Sequence, residues 1–323
     1  MSIIRFILFL IHLAVLFLLL GTKLNAHISP QQAGWLNLLS LGFPVLLIFY
    51  FILSIFWLIT FKKRGIIFLL GWVFLLTPTQ RWLNYSSQKE KPIDFKLICY
   101  NTKGIGDEKA VFLNHEEADI LMLQEAGGDN KMKLSNFKYN AHTQLISIYS
   151  KFPIISQKVI PLTDIGAAQY ADIQIKDKTI RFINIYLNPF KLDKSMVRLS
   201  KSVEINEIKA KSLVSKLIPV FKIHQKQTQK IKPIIENSPY PIILAGDFNA
   251  VPNSYEYFQL SENLTDSFLK AGTGSGTSFH DYKFPIRIDY VFSSENIIPI
   301  NHKTNREVTL SDHYPIYAEF HLK

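Results

Sequence analysis

With 323 residues the chain has room for two domains, and its net charge of +10 is unevenly spread. Residues 1–85 hold six basic residues and no Asp or Glu, leaving only +4 for the remainder, too little to mark a polyanion-binding domain by charge alone. A single cysteine, Cys99, excludes an intramolecular disulfide and reads as a small buried apolar residue.

The first elements are apolar and long. Ile3–Gly21 is interrupted only by Arg5 and His12, and Trp35–Phe61 carries no charge. Both are long enough to cross a bilayer core. A shorter run, Gly65–Thr77, precedes Pro78 and reaches full length only by including residues up to Trp82. The reading is an anchor at 1–84 with three transmembrane helices at about 3–21, 35–61 and 65–83, the third also compatible with a re-entrant segment. Arg5 and Lys62-Lys63-Arg64 belong on the cytoplasmic side by the positive-inside rule. Three spans then leave everything after residue 85 extracytoplasmic, in the periplasm or outside the cell, whereas two would leave it inside. A cleaved signal peptide fits less well, because Leu24-Asn25-Ala26 is a poor small-x-small site.

A polar linker at 85–94 leads to a catalytic-sized domain at 95–323. Strand patterns fall at 95–100, 119–123, 145–149, 171–176, 180–186, 241–246, 287–293 and 315–321, with helical patterns at 108–117, 200–236 and 254–261. Strands mixed with helices predict two packed sheets with helices outside. Pro219 and Pro233 are expected to kink or end helices in the third quarter of the chain. The segment 191–232 is the most basic; a solvated helix face, contact with anionic lipid headgroups and contact with a phosphate-bearing substrate all fit it. His115 and His224 read as surface residues, and Gly272–Thr277 as a loop that is either plain surface or part of the substrate entrance.

Chemistry-bearing side chains gather at strand ends. Gly246-Asp247-Phe248-Asn249 follows the apolar run 241–245. Asp247 and Asn249 are two apart and face one way in an extended segment. A carboxylate there can take a proton from an attacking water and an amide can orient it. Asp312-His313, in Ser311-Asp312-His313-Tyr314-Pro315, sets an acid beside an imidazole that can stabilise charge growing on a phosphoryl oxygen. Asp289 is the candidate to hold that imidazole's tautomer. Glu125, at the end of the apolar strand-like stretch Asp119-Ile120-Leu121-Met122-Leu123-Gln124-Glu125, offers an oxygen ligand for Mg²⁺ or Mn²⁺, and Asn101 is similarly placed.

The ordered set Asn101, Gln124-Glu125, Tyr186-Leu187-Asn188-Pro189, Gly246-Asp247-Phe248-Asn249, Arg287-Ile288-Asp289-Tyr290 and Ser311-Asp312-His313 resembles the endonuclease/exonuclease/phosphatase superfamily over about 95–321. That resemblance implies an α/β fold, a four-layer α/β/β/α sandwich of two mixed sheets, here preceded by the transmembrane region. It implies a divalent-metal-dependent phosphodiesterase using Mg²⁺ or Mn²⁺. Glu125 would hold the ion, with Asn101 and Asp312 at the metal or its phosphate shell. Asp247 would activate water, Asn249 orient it, and His313, held by Asp289, stabilise the pentavalent phosphorus. Asn188 and Arg287 would touch substrate.

Two positions depart from the common pattern. Tyr186 stands where many members carry His, and a phenol with a pKa near ~10 is a slow acid at neutrality. Lys103 stands where some nucleases carry an acid. The expected substrates are phospholipid headgroups or other small phosphoesters; a nuclease acting on extracytoplasmic DNA or RNA is the alternative, and a catalytically impaired, tethered binding protein a third. Partners are the lipid bilayer and the phosphoester, with no obligate protein partner implied.

Overall fold

The computed structural model describes residues 3–60, 63, 65–86, 90–104, 106–126, 132, 134–198, 200–281 and 285–323. The expected linker lies partly outside this set, as do Lys62 and Arg64 of the basic turn. The chain begins with α1 (Ile3–Gly21), a 3₁₀ turn (Thr22–Ala26), α2 (Pro30–Ala33), α3 (Trp35–Ile59) and α4 (Gly65–Gln80). Helix α2 is short but well specified, with Pro30 in its first turn and a reciprocal Ser29–Gln32 capping box. Two helical stretches, Ile3–Ala26 and Trp35–Ile59, are long and apolar enough to cross a membrane by length and composition; the 16-residue α4 is shorter. The third apolar helix therefore ends at Gln80 rather than near 83. The helices pack through Leu16, Leu19, Phe43, Tyr50, Trp57, Phe68 and Leu75. Their outward faces leave Phe17, Ile48 and Val73 exposed.

The second part runs β1 (Leu83–Tyr85), β2 (Phe95–Asn101), α5 (Asp107–His115), β3 (Ile120–Gln124), β4 (Tyr139–His142), β5 (Ile146–Ser150) and β6 (Ile154–Ile160). It continues with β7 (Ala167–Ile175), β8 (Lys178–Tyr186), α6 (Lys194–Val197), α7 (Val203–Glu236), β9 (Ile242–Asp247) and α8 (Tyr255–Leu260). The last elements are β10 (Thr265–Asp266), α9 (Ser267–Ala271), β11 (Thr273–Ser275), β12 (Asp289–Ser293), β13 (Ile297–Thr304) and β14 (Ile316–Leu322).

Two six-stranded sheets form, ordered β13-β14-β2-β3-β5-β4 and β10-β12-β9-β8-β7-β6. Each is mixed: β2/β3 and β8/β9 pair in parallel, the remaining neighbours antiparallel. Between the sheets lies a core that includes Leu97, Cys99, Met122, Ile148, Ile173, Phe182, Ala245 and Phe320. A second core packs Ile231 and Ile235 of α7 and Tyr257 and Leu260 of α8 on the outer face of one sheet, and a third packs Leu113 of α5 on the other. Helix, sheet, sheet, helix is the expected four-layer arrangement. The parallel pairs explain why the site forms at one end: α5 and α7 return the chain so that β2, β3, β8 and β9 all finish on the same edge.

Helix α7 continues through both Pro219 and Pro233 as 34 residues, so neither proline ends it. A more consequential correction concerns Gly272–Thr277. Thr273–Ser275 is strand β11, paired antiparallel with β1 in the register Leu83↔Ser275 and Tyr85↔Thr273. The stretch is not a plain surface loop; it fastens the end of the helical region to the sandwich. The domain boundary placed at residue 84 cuts through this pairing.

Buried polar contacts reinforce that junction. Asn25 donates to Ser40 Oγ (2.8 Å) and to the Asn253 carbonyl (3.1 Å), which also accepts from Ser40 Oγ (2.6 Å). Asn37 donates to both Glu256 oxygens and accepts from the Tyr255 amide (2.9 Å). Arg81 donates to Asn253 Oδ1 (2.6 Å) and stacks its guanidinium over Tyr257 and Phe258. The helical region is docked onto the sandwich, not tethered to it.

Candidate active site

Strand ends from both sheets deliver the side chains. Asn101 and Gln124 close the parallel pair β2/β3, with Glu125 one residue beyond; Tyr186 and Asp247 close the parallel pair β8/β9 in direct register. Asp289 opens β12 opposite Asp247, and Asp312 and His313 precede β14. The turn into the site demands glycine at 246. Its φ is +146°, and a Cβ there would sit 2.0 Å from the Ile185 carbonyl oxygen. Asn249 (φ 45°) and Glu125 (φ 52°) also lie in the left-handed region. Such strain persists only where surrounding contacts hold it.

Those contacts form one network. Asp247 accepts from the Asn249 amide (2.8 Å), Asn249 Nδ2 (3.2 Å) and Asn101 Nδ2 (3.0 Å). Asn101 also donates to Glu125 Oε1 (3.0 Å), bridging the two sheets, and Tyr186 donates its hydroxyl to the same oxygen (3.1 Å). His313 Nδ1 meets Asp289 Oδ2 at 2.8 Å, and its Nε2 stands 3.8 Å from Asp247 Oδ2. Among the described residues Asp289 Oδ1 is buried with no hydrogen-bond partner, so the imidazole is the carboxylate's chief contact. The three side chains Asp247, Asp289 and His313 present ligand-type atoms within 4.8 Å of one another.

Burial sets the acid–base character. Burial and the neighbouring Asp289 charge push the Asp247 carboxyl up to about 7, against the pull of His313 and the donated hydrogen bonds. Burial alone would depress His313, but Asp289 and Asp247 outweigh it and hold the imidazolium to about 9. Burial pushes the Tyr186 phenol far up, with Glu125 and Asp247 adding to it, so it remains a donor at every physiological pH. Burial opposes ionisation of Asp312 too, yet Lys103 and His313 bring its carboxyl below the usual range.

Glu125 is suited to a hard divalent ion. Its Oε1 is fixed by Asn101 and Tyr186, while Oε2 has no hydrogen bond among the described residues. A carboxylate oxygen held in place with its twin left over is the kind of ligand that Mg²⁺ and Mn²⁺ take. Asp312 stands at the same rim but is claimed by Lys103 at 2.6 Å. Asn101 faces Glu125 and Asp247 with its amide nitrogen, and its oxygen accepts from the Lys103 amide (3.0 Å).

Of the sequence-derived candidates, Asn101, Glu125, Tyr186, Asp247, Asn249, Asp289, Asp312 and His313 are brought together. Arg287 is not among them. Its side chain is fully buried and forked onto Asp266 (2.7 and 2.9 Å), and it donates to the Arg81 carbonyl; it braces the junction with the helical region and cannot reach substrate. Asn188 lies next to the site but spends its side chain on the Ile165 amide (3.2 Å) and the Pro189 carbonyl (3.3 Å), shaping its own loop.

His224, expected at the surface, is fully buried. Its Nδ1 meets Glu256 (3.0 Å), and its Nε2 donates to the Asn188 carbonyl (2.7 Å). Asn37, Glu256 and His224 thus connect α3 to the loop that follows Tyr186. No local pattern signals this chain, because its members are far apart in sequence. Lys103 was marked in the sequence as a departure, but its bond to Asp312 follows only from the fold.

Residues 106–313 match the family model described as endonuclease/exonuclease/phosphatase family. Residues 5–82 match a second model, described as a domain of unknown function (DUF8431). No curated protein matches the chain. Among solved structures, an endonuclease/exonuclease/phosphatase family protein from Leptotrichia buccalis C-1013-b is similar at 14% identity and a TM-score of 0.51, covering 71% of this chain and 100% of that one. TDP2 of D. rerio, complexed with single strand DNA product, is similar at 14% identity and a TM-score of 0.51, over 70% and 98% of the two chains. An endonuclease/exonuclease/phosphatase from Beutenbergia cavernae DSM 12333 gives 15% identity, a TM-score of 0.50 and 71% coverage of each. At such identities the likeness is one of fold.

Proposed function

This chain belongs to the endonuclease/exonuclease/phosphatase family, whose members are hydrolases of phosphoester bonds that generally use divalent metals, and from that premise we propose a membrane-anchored phosphodiesterase acting outside the cytoplasm. The observation that carries the proposal is the pairing of a buried carboxylate, Asp247, with an imidazolium held by a second carboxylate, His313 on Asp289, 3.8 Å away.

The chain's own residues divide the work. Asp247, with a pKa raised to about 7, is a base matched to neutral pH and takes a proton from the attacking water. Asn249, its amide anchored on Leu187 and Asp247, orients that water. His313 donates through Nε2 to a phosphoryl oxygen and offsets its growing charge, and Asp289 fixes the tautomer through Nδ1. Tyr186 adds a neutral hydrogen-bond donor at Glu125. A Mg²⁺ or Mn²⁺ ion at Glu125, with Asp312 beside it, would supply Lewis-acid polarisation of the phosphoryl group.

Orientation is supported by which helix ends meet the domain. The end of α1, the start of α3 and the end of α4 all contact it, through Asn25, Asn37 and Ser40, and Arg81. Arg5 and Lys63 then belong to the opposite side of the bilayer, which the positive-inside rule assigns to the cytoplasm. With the domain held against the anchor and carrying only +4, a lipid headgroup diester or another small phosphoester suits it better than a long polyanion.

The test is a substrate panel with the full chain in detergent: a chromogenic phosphodiester, phospholipid diesters, and single-stranded DNA and RNA, each with and without Mg²⁺. Metal-dependent turnover of the chromogenic and lipid diesters is expected. Turnover confined to nucleic acid would replace the substrate assignment, and no turnover of any diester would overturn the proposal.

A further inference from the structure

Helix α7 is buried only along its second half. Every buried residue of α7 lies from Leu217 onward, whereas none between 203 and 216 is buried. About 14 residues, or ~21 Å of helix, therefore stand clear of the sandwich. This half is not a solvated helix in its composition. Val203 is 81% exposed, Ile208 67%, Ile205 46% and Val214 40%. Ala210, Val214 and Ile218 form an open apolar strip along one side of this helix.

The place where α7 leaves the domain is also where the helical region docks. A Cβ on Gly34, the residue before α3, would lie 3.0 Å from Ile218, and the Gln31 amide donates to Gln225 (2.8 Å). The overhanging half thus begins at the level where the chain enters its longest apolar helix. Its charges suit an anionic layer: Lys201, Lys209, Lys211 and Lys216 stand against Glu204 and Glu207, and only Lys211 is paired with one of those acids (2.7 Å). Val203, Val214 and Ile218 share one side of the helix, and Ile205 and Ile208 lie on another. Apolar side chains on both sides, flanked by lysines and continuous with membrane-spanning helices, suit a helix immersed among lipid headgroups.

We propose that residues 203–216 of α7 are seated in the headgroup and upper acyl layer of an anionic bilayer, so that the domain's active-site edge is held at the lipid surface and its substrate is a lipid-borne phosphodiester. The inference rests on the membrane-anchored reading above and adds a second, interfacial contact to it. The segment 187–202, which carries α6, connects Tyr186 at the end of β8 to α7, and Lys209 ties it to the helix by donating to the Arg198 carbonyl (2.7 Å).

Cys99 is fully buried, so an introduced cysteine is the accessible thiol. Val203→Cys, Ile208→Cys and Val214→Cys, each labelled with an environment-sensitive fluorophore, are reconstituted as full chains into vesicles of phosphatidylglycerol and phosphatidylcholine. Val73→Cys on the exposed face of α4 reports the bilayer, and Glu295→Cys, at a 91%-exposed side chain, reports solvent. Expected is a blue-shifted emission at 203, 208 and 214, quenched at least twofold by shallow spin-labelled lipid, with 73 quenched by deep label and 295 unquenched. Water-like emission at 208 with 73 quenched would overturn the seat and leave the anchor standing. A blue shift without lipid quenching would mean that protein, such as a second copy, covers the helix, and would also overturn it. An unquenched 73 would overturn both readings. In parallel, Ile208→Glu is expected to lower turnover of a vesicle-borne diester at least fivefold while leaving a soluble chromogenic diester unchanged; equal effects on both would contradict the proposal.

Discussion

Asp247 and His313 must be in opposite protonation states to do their work: burial and the Asp289 charge raise the Asp247 carboxyl, while Asp289 and Asp247 raise the imidazolium against the opposing effect of burial. Asp247 acts ionised, so kcat/KM should rise with pH through about 7. His313 acts protonated, so activity should fall as pH passes about 9, the two limbs belonging to the coupled pair. Asp289 raises both values. Asp289→Asn should therefore move both limbs to lower pH in a kcat/KM profile; an alkaline limb unmoved from about 9 would contradict that assignment. At Gly246 the backbone leaves no room for a side chain, so Gly246→Ala should lower the melting temperature sharply, beyond the ~1–3 kcal/mol that a strained backbone conformation alone costs. At this scale the sequence was legible wherever a residue's role follows from its strand end. Asp247 and Asn249 sit two apart after an apolar run, Asp289 stands at the head of another, and His313 follows an acid just before the last strand. Arg287 misled, because a motif position tells nothing of burial: its partner Asp266 lies 21 residues away.

Elements were legible in proportion to their apolar content. The central strands β2, β3, β8, β9 and β12 are buried along their whole length or nearly so, and each leaves a compact apolar run. The edge strand β6 is exposed at most positions and β13 contains a proline and a register shift, so neither leaves a strong pattern. The β1/β11 pairing was invisible because its halves are short and nearly 190 residues apart, on the order of a full domain in sequence separation. Its consequence can be measured. A fragment starting at residue 90 lacks β1 and uncovers Asn253 and Glu256, so it should be less stable than the full chain. Asn37→Ala leaves the Tyr255 amide and the Glu256 carboxylate short of a partner and should destabilise the full chain by about 1–3 kcal/mol in a detergent-phase melt. A melt unchanged by this substitution would mean that the docking is dispensable.

Across the whole molecule the apolar helices and the sandwich share a buried polar interface, and the chain Asn37, Glu256, His224 and the Asn188 carbonyl carries it from α3 to the catalytic edge. The proposed orientation sets the domain outside the cytoplasm. Protease added to intact cells should therefore cut within residues 95–323, and protection until lysis would reverse the topology. The central claim is that this edge hydrolyses phosphodiesters through Asp247. Its most direct test is single-turnover hydrolysis of a chromogenic phosphodiester by the full chain with Mg²⁺, comparing wild type with Asp247→Asn at matched melting temperature. A loss of ~10²–10⁴-fold is the expected result, and an Asp247→Asn protein that keeps wild-type turnover would contradict the account.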